Sequence, residues 1–320
     1  MTASAGSQKV VLFRDPAPQR QVGRKDAEWP AQLDELGPHL VPEKLYVSGR
    51  PLPTRDRTIA VVGTRRPTVA GVEMTEALAK GLAQAGFTVV SGLAMGIDAA
   101  AHRAALEAGG STVAVVGCGL DVNYPQRNER LRRRIDELGT VVSEHSPGTR
   151  PLPHHFPLRN RIIAGLSDGV VVVEGGDKSG ALITARMALD ANRSVFAVPG
   201  SARNPWAWGP NELIRTSQAA LVTSVEHVFQ ELAPGEVWDG PCDPMQGQPP
   251  ELERDESAVL FALDDMSASI GRVAETASVS TGAAALALAC LEVRGYALRR
   301  RAGYEITGAG ARVRGLLVSG

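Results

Sequence analysis

The run Thr58-Ile59-Ala60-Val61-Val62-Gly63-Thr64-Arg65-Arg66-Pro67 decides how the rest of the chain is read. Its apolar half is short, rich in β-branched residues and without alternation, the pattern of a strand buried on both faces. Its polar half opens with a glycine, which lets a ligand approach the backbone, and adds the Thr64 hydroxyl and the two guanidinium groups of Arg65 and Arg66. Such a turn at the end of a buried strand suits a phosphate. It is not the dinucleotide fingerprint, because the G-x-G-x-x-G spacing is missing here and again at Gly117-Cys118-Gly119-Leu120-Asp121-Val122. No G-x-x-x-x-G-K-[ST] run occurs either, so nicotinamide cofactors and P-loop nucleotide hydrolysis are poor readings.

Outward from this strand the same valine-rich texture recurs at residues 88–90, 112–116, 141–142, 170–173, 195–198 and 221–222. Segments with helical spacing lie between them, at 72–85, 97–108, 128–138, 159–166 and 181–191. Parallel neighbours need crossover helices, so the alternation predicts an α/β fold, an open and mostly parallel sheet with helices on both faces. Ligands of such sheets bind beyond the C-terminal ends of the strands. Residues 1–54 are polar and Pro-rich apart from short apolar runs at 10–13 and 40–47, and read as a loose N-terminal arm. Residues 55–232 then make the main domain, and 233–251, APGEVWDGPCDPMQGQPPE, make a linker. In 252–308 three helical segments are followed by a hairpin around Ala302-Gly303, the pattern of a small winged-helix domain, with 309–320 left as a tail.

Composition agrees with a globular protein: of 320 residues 43% are hydrophobic and the formal net charge is −1, which excludes disordered, collagenous and coiled-coil classes. No apolar stretch reaches the length of a membrane span, and the N-terminus has no long apolar run before Arg14 and Asp15, so the chain reads as cytoplasmic with no membrane partner. Cys118, Cys242 and Cys290 are too few and too scattered for a disulfide framework or a CxxC metal site. Near-neutral charge does not exclude nucleic acid, since a local stripe of arginine can bind while acidic residues elsewhere cancel the total.

The other strand ends carry similar turns. Ser91-Gly92-Leu93-Ala94-Met95-Gly96-Ile97-Asp98 supplies glycines and then a helix N-terminus, with Asp98 read as a first-turn capping residue and His102 one turn on. Arg130, Arg132, Arg133 and Arg134 read as a solvated helix face. In His154-His155-Phe156-Pro157-Leu158-Arg159-Asn160-Arg161 an aromatic ring precedes two guanidinium groups and an amide, a stacking surface beside charge, which single-stranded nucleic acid requires. The two histidines lack companions for a metal site. Glu174-Gly175-Gly176-Asp177-Lys178-Ser179-Gly180 reads as a second phosphate cradle, and Pro199-Gly200-Ser201 with Gly209-Pro210-Asn211-Glu212 closes the set. Each turn alone is a weak signal; their convergence on one sheet edge is a stronger one.

In their order, GTRRP, SGLAMGIDAAAH, GCGLDVNYPQRN, FPLRNRIIAGLS, EGGDKSGALITA, FAVPGS and GPNELI resemble the DNA-processing protein A family, also called DprA or Smf, over residues 58–232. The resemblance implies an extended Rossmann-like fold that binds and shields single-stranded DNA and helps load the RecA recombinase in natural transformation, without catalytic residues, metal or cofactor. It implies that Gly63, Thr64, Arg65 and Arg66 hold a phosphate, that Arg159, Asn160 and Arg161 continue a positive groove, and that Phe156 stacks on a base. Lys178, Ser179 and Gly180 match the second phosphate loop, and Ser91, Gly92 and Gly96 line the same pocket. Pairing of two copies through the Rossmann-like domain is implied as well. The chain departs from the fuller family form at its short Pro-rich arm and at the helix expected to read DNA, where residues 281–290 carry no base. That domain therefore suits protein contacts, with Arg299, Arg300 and Arg301 as backbone contacts or as a solvated turn.

Two other functions share these residues. Nucleoside-monophosphate phosphoribohydrolases resemble the Glu174-Gly175-Gly176 loop, but their P-G-G-x-G-T-x-x-E signature is not met, since residues 181–184 hold no carboxylate to stabilise an oxocarbenium ion. A sensor that binds a small nucleotide in the same pocket is the third reading.

Overall fold

The computed structural model describes residues 11–13, 15–53, 57–233, 252–264 and 266–319. The strands of its main sheet are β1 (Gln19–Gly23), β2 (Lys44–Gly49), β3 (Thr58–Val62), β4 (Thr88–Ser91), β5 (Thr112–Val115), β6 (Thr140–Ser143), β7 (Gly169–Val172), β8 (Ser194–Ala197) and β9 (Ala220–Leu221). Between and after them run α1 (Val69–Gln84), α2 (Ile97–Glu107), α3 (Glu129–Leu138), α4 (His155–Gly165), α5 (Gly180–Asp190), α6 (Trp208–Arg215) and α7 (Val225–Leu232). The strand order is β1-β2-β6-β5-β4-β3-β7-β8-β9, with β3 to β9 parallel to one another.

The missing alternation in β3 has a direct cause. Ile59 and Val61 pack with Leu78 and Leu82 of α1 and Ala101 of α2, whereas Ala60 and Val62 pack on the opposite face with Ile162 of α4 and Ala185 of α5. A strand covered on both sides has no polar face to show. The chain leaves β3 towards β4, β5 and β6, then crosses back to β7, β8 and β9. The order therefore reverses at β3 and β7, and the loops at their C-terminal ends diverge to leave a crevice.

The arm expected over residues 1–54 is not loose over residues 19–49. There β1 and β2 form a hairpin whose second strand pairs antiparallel with β6, and the 3-10 turn Ala31–Glu35 sets Leu33 against Gly165 of α4. Its polar composition conceals this because β1 is an edge strand in which Val22 alone is fully buried, and Arg20 pairs with Glu28 at its rim. The linker expected at 233–251 lies, beyond Ala233, outside the described residues.

The C-terminal part forms α8 (Arg254–Ala262), α9 (Ile270–Ala277) and α10 (Thr281–Val293), then the hairpin β10 (Ala297–Arg300) and β11 (Gly303–Ile306). Side chains set the helix starts: a Glu253–Glu256 capping box opens α8, and the hydroxyls of Ser269 and Ser280 accept from the backbone of Arg272 and Ala283. These elements bury their own core of Val259, Leu260, Val273, Leu288, Leu291 and Ile306. Of residues 309–320, expected as a tail, 309–319 belong instead to α11 (Gly308–Ser319), whose Val313 joins that core, and Gly320 lies outside the described residues. No single helix among the described residues is long and apolar enough to cross a membrane.

Candidate nucleic-acid interface

A groove of about 800 Å3 opens at the reversal point, walled by the loops after β3 and β7 and by the start of α4. The loop after β3 is drawn tightly to its neighbours. Thr64 N–H donates to the Glu174 carbonyl at 2.7 Å, and Ile97 N–H donates to the Thr64 carbonyl at 3.2 Å. A Cβ on Gly63 would lie 2.6 Å from Ile97 Cγ1, and one on Gly96, whose φ is +84°, would lie 2.4 Å from the Thr64 oxygen. Only glycine fits at either place. This packing buries Thr64 and leaves Arg65 and Arg66 exposed at the rim.

Facing them, Lys178 is exposed on the loop after β7, while Ser179 caps α5 by accepting from Ala181 N–H at 3.3 Å. Gly180, Ser179 and Lys178 all line the groove. Asn160 joins the two walls: its amide nitrogen donates to the Gly180 carbonyl at 3.2 Å, and its oxygen accepts from Arg159 Nε at 3.3 Å.

Phe156 stands at the opposite wall with its ring 5.4 Å from that of Tyr124, tilted by 37°, and the Arg65 guanidinium lies 5.7 Å from the Phe156 centroid. Together these groups frame a recess of about 40 Å3 off the main groove, with Gly92 and Cys118 at its base. Burial pushes the Cys118 thiol up to about 11, so it stays protonated there.

The expected residues therefore divide. Arg65, Arg66, Phe156, Lys178, Ser179 and Gly180 surround an open groove with Gly63 and Thr64 beneath them. Arg159 lines the floor but is only 5% exposed, and its Nη1 donates to the carbonyls of Gly92 and Val115. Burial lowers its pKa to about 10, opposed by the nearby Asp98 carboxylate. Arg161 is not at the groove: it is equally buried and makes a two-pronged ion pair with Glu144, at 2.6 and 2.9 Å. Ser91 is fully buried, its hydroxyl donating to the Val61 carbonyl at 2.7 Å, and Gly96 serves the turn rather than the groove surface.

Two carboxylates at the groove, Asp98 and Glu174, are engaged by hydrogen bonds, whereas Asp177 on its lining is exposed. Asp98 accepts from the N–H groups of Gly92 at 3.1 Å and Ala94 at 3.3 Å; burial raises its pKa and the Arg159 charge opposes that rise. Glu174 accepts from the Thr68 N–H and hydroxyl and from the Asn204 amide. His102 is fully buried, bonded through Nδ1 to the Thr112 hydroxyl, and burial holds its pKa down to about 3. Among the described residues no group of three or more His, Cys, Asp or Glu could hold a metal ion.

Two groove residues escaped the sequence reading. Tyr124 lies in the loop after β5 and Trp206 in the loop after β8; both are aromatic residues in loops at strand C-termini, which was the available signal.

Residues 20–233 match the model of the family described as DNA recombination-mediator protein A. Over 192 residues the chain is 45% identical to the DNA processing protein DprA of Bacillus subtilis, covering 60% of this chain and 64% of that one. It is 44% identical to the Streptococcus pneumoniae DprA over 203 residues, covering 63% and 71%. The chain thus spans somewhat under two thirds of the Bacillus subtilis relative's length. The X-ray structure of the Streptococcus pneumoniae DprA superimposes with a TM-score of 0.62 at 42% identity, over 66% of this chain and 74% of that one. The DprA of Helicobacter pylori, whose structure is described for its single-stranded DNA binding mode, superimposes with a TM-score of 0.59 at 30% identity, over 68% and 96%. With the reversal-point groove and its two basic loops in place, the chain belongs to the DNA recombination-mediator protein A family.

Proposed function

We propose that this chain binds single-stranded DNA in the groove and acts as a recombination mediator, with phosphates at Arg65, Arg66 and Lys178 and a base against Phe156 and Tyr124. The observation that carries the reading is the juxtaposition of exposed cations with an open aromatic face in one groove. Cations track a phosphate backbone, and an aromatic face accepts any base, so binding is tight without sequence preference. The reading is of a binding protein rather than an enzyme. The carboxylates of Asp98 and Glu174 are engaged by backbone N–H groups and His102 is sealed from solvent, which leaves none of the three to move a substrate proton. By family, the partner protein is the RecA recombinase, two copies pair through the Rossmann-like domain, and the work is done in the cytoplasm.

Fluorescence anisotropy of labelled oligo-dT and the matching duplex, across a salt titration, tests this. Three neutralised phosphates on a single strand give a slope of log K against log salt of roughly −2. Arg65→Ala should weaken every sequence alike and make that slope about 0.7 shallower. Duplex preference, or release of free base from a nucleoside monophosphate, would overturn the proposal.

A further inference from the structure

The chain has six Phe, four Trp and four Tyr, and three of these, Tyr124, Phe156 and Trp206, line one groove. Tyr124 and Phe156 are in tilted ring contact, but Trp206 stands apart from them. Its loop follows β8, whereas Phe156 packs against Gly117 in the loop after β5, 3.3 Å from where a Cβ on that glycine would lie. From β5 to β7, whose following loop lies beneath the indole at Gly176, there are three strand intervals, about 14 Å at the usual strand spacing. The basic loop after β3 lies between the two ends, and the one after β7 lies against Trp206.

Trp206 is held rigidly yet left half-buried. Its carbonyl accepts from Gly175 N–H at 2.6 Å, its N–H donates to Asn204 Oδ1 at 2.9 Å, and Gly209 N–H donates to the Gly175 carbonyl at 2.8 Å. These bonds staple the loop to the second basic loop. The indole joins none of the four hydrophobic cores and lies over Gly176, 3.7 Å from where a Cβ would be. A large ring fixed by its backbone, with one side open to a groove, is pre-organised for a flat ligand.

We propose that Trp206 is a second base-stacking platform, so that one single strand crosses the groove with a base on Phe156, phosphates at Arg65, Arg66 and Lys178, and a later base on Trp206. The inference rests on the single-stranded DNA reading above and adds a direction and a minimum length to it. One nucleotide cannot reach both platforms, so the groove takes a strand of several nucleotides rather than a free mononucleotide.

The test compares the full-length wild type, Trp206→Phe and Trp206→Leu by anisotropy with labelled oligo-dT, using an abasic site moved one position at a time along the strand. Trp206→Leu should weaken binding about five- to 150-fold, the range for loss of one stacked base, and Trp206→Phe should restore most of it. In the wild type one abasic position should cost a similar factor, and in Trp206→Leu that position should cost little, a coupling that a merely structural role would not produce. The salt slope and the melting temperature should stay at wild-type values in both variants. If Trp206→Leu binds like wild type, or if its loss is independent of the abasic position, the platform is overturned while the groove reading stands. If the wild type does not bind oligo-dT, both fall.

Discussion

The loop after β3 and the start of α4 each carry a pair of arginines, and the two pairs have opposite fates. Arg65 and Arg66 follow a glycine on a tight turn, and their side chains reach solvent. Arg159 and Arg161 lie on α4, packed against α5 and β5, where carbonyls of Gly92 and Val115 hold one and Glu144 holds the other. The first pair offers charge to a ligand; the second uses its charge inside the fold, on two backbone carbonyls and on Glu144. A count of cations in a motif therefore overstates what a ligand can meet, and burial decides which of them counts.

The sharpest way to break this distinction is Arg161→Ala. It strands the Glu144 carboxylate, whose side chain is 15% exposed, without its partner, and should cost about 3–5 kcal/mol in denaturant unfolding. A loss below about 1 kcal/mol would put Arg161 with the solvent-facing arginines. Arg65→Ala, by contrast, should leave the unfolding midpoint unchanged while weakening the single strand.

Acidity probes the layer beneath the groove. His102 titrates near 6.5 when exposed and only near about 3 in the folded chain, because burial and the charges of Arg159 and Arg103 disfavour the imidazolium. Between those values the unfolded chain holds the extra proton. Stability should therefore fall as pH drops from about 6.5 towards 3, by a little over 1 kcal/mol per pH unit for this one group. Unfolding free energies at pH 7.5, 6 and 5 should show that slope in the wild type and a reduced one in His102→Gln. An unchanged slope would mean the imidazole takes up its proton inside the fold. The smallest effect belongs to Arg133→Ala: its ion pair with Glu129 is 42% exposed on both sides, and its loss should change stability by about 0.5 kcal/mol or less.

The parallel sheet was legible because β3, β4, β5 and β7 are apolar without alternation and are separated by helical spacing. The basic loops were legible too, since glycine followed by cation at a strand end has few structural uses. What the sequence concealed depends on distant partners. Nothing near Arg161 announces Glu144, seventeen residues earlier, and nothing near Ser91 announces the Val61 carbonyl that accepts its hydrogen bond. The hairpin of β1 and β2 was hidden for a different reason: an edge strand buries only part of one face, so QRQVG carries no periodic signal. Trp206 was overlooked because its role depends on a loop thirty residues earlier in the chain.

Glu174 has a consequence for what this fold can hold. In the dinucleotide-binding relatives of this architecture the pyrophosphate rests on the N-terminus of the helix after the first strand. Here the chain brings its own anion to that place: the Glu174 carboxylate bonds the Thr68 N–H and hydroxyl, and Gly71 lacks the Cβ that would meet Glu174 Oε2 at 2.4 Å. The socket for a compact diphosphate is plugged from within. The exposed positive charge runs along the rim, spread over side chains from two loops, and a rim can be followed by a polymer in a way that a plugged socket cannot be filled by a coenzyme.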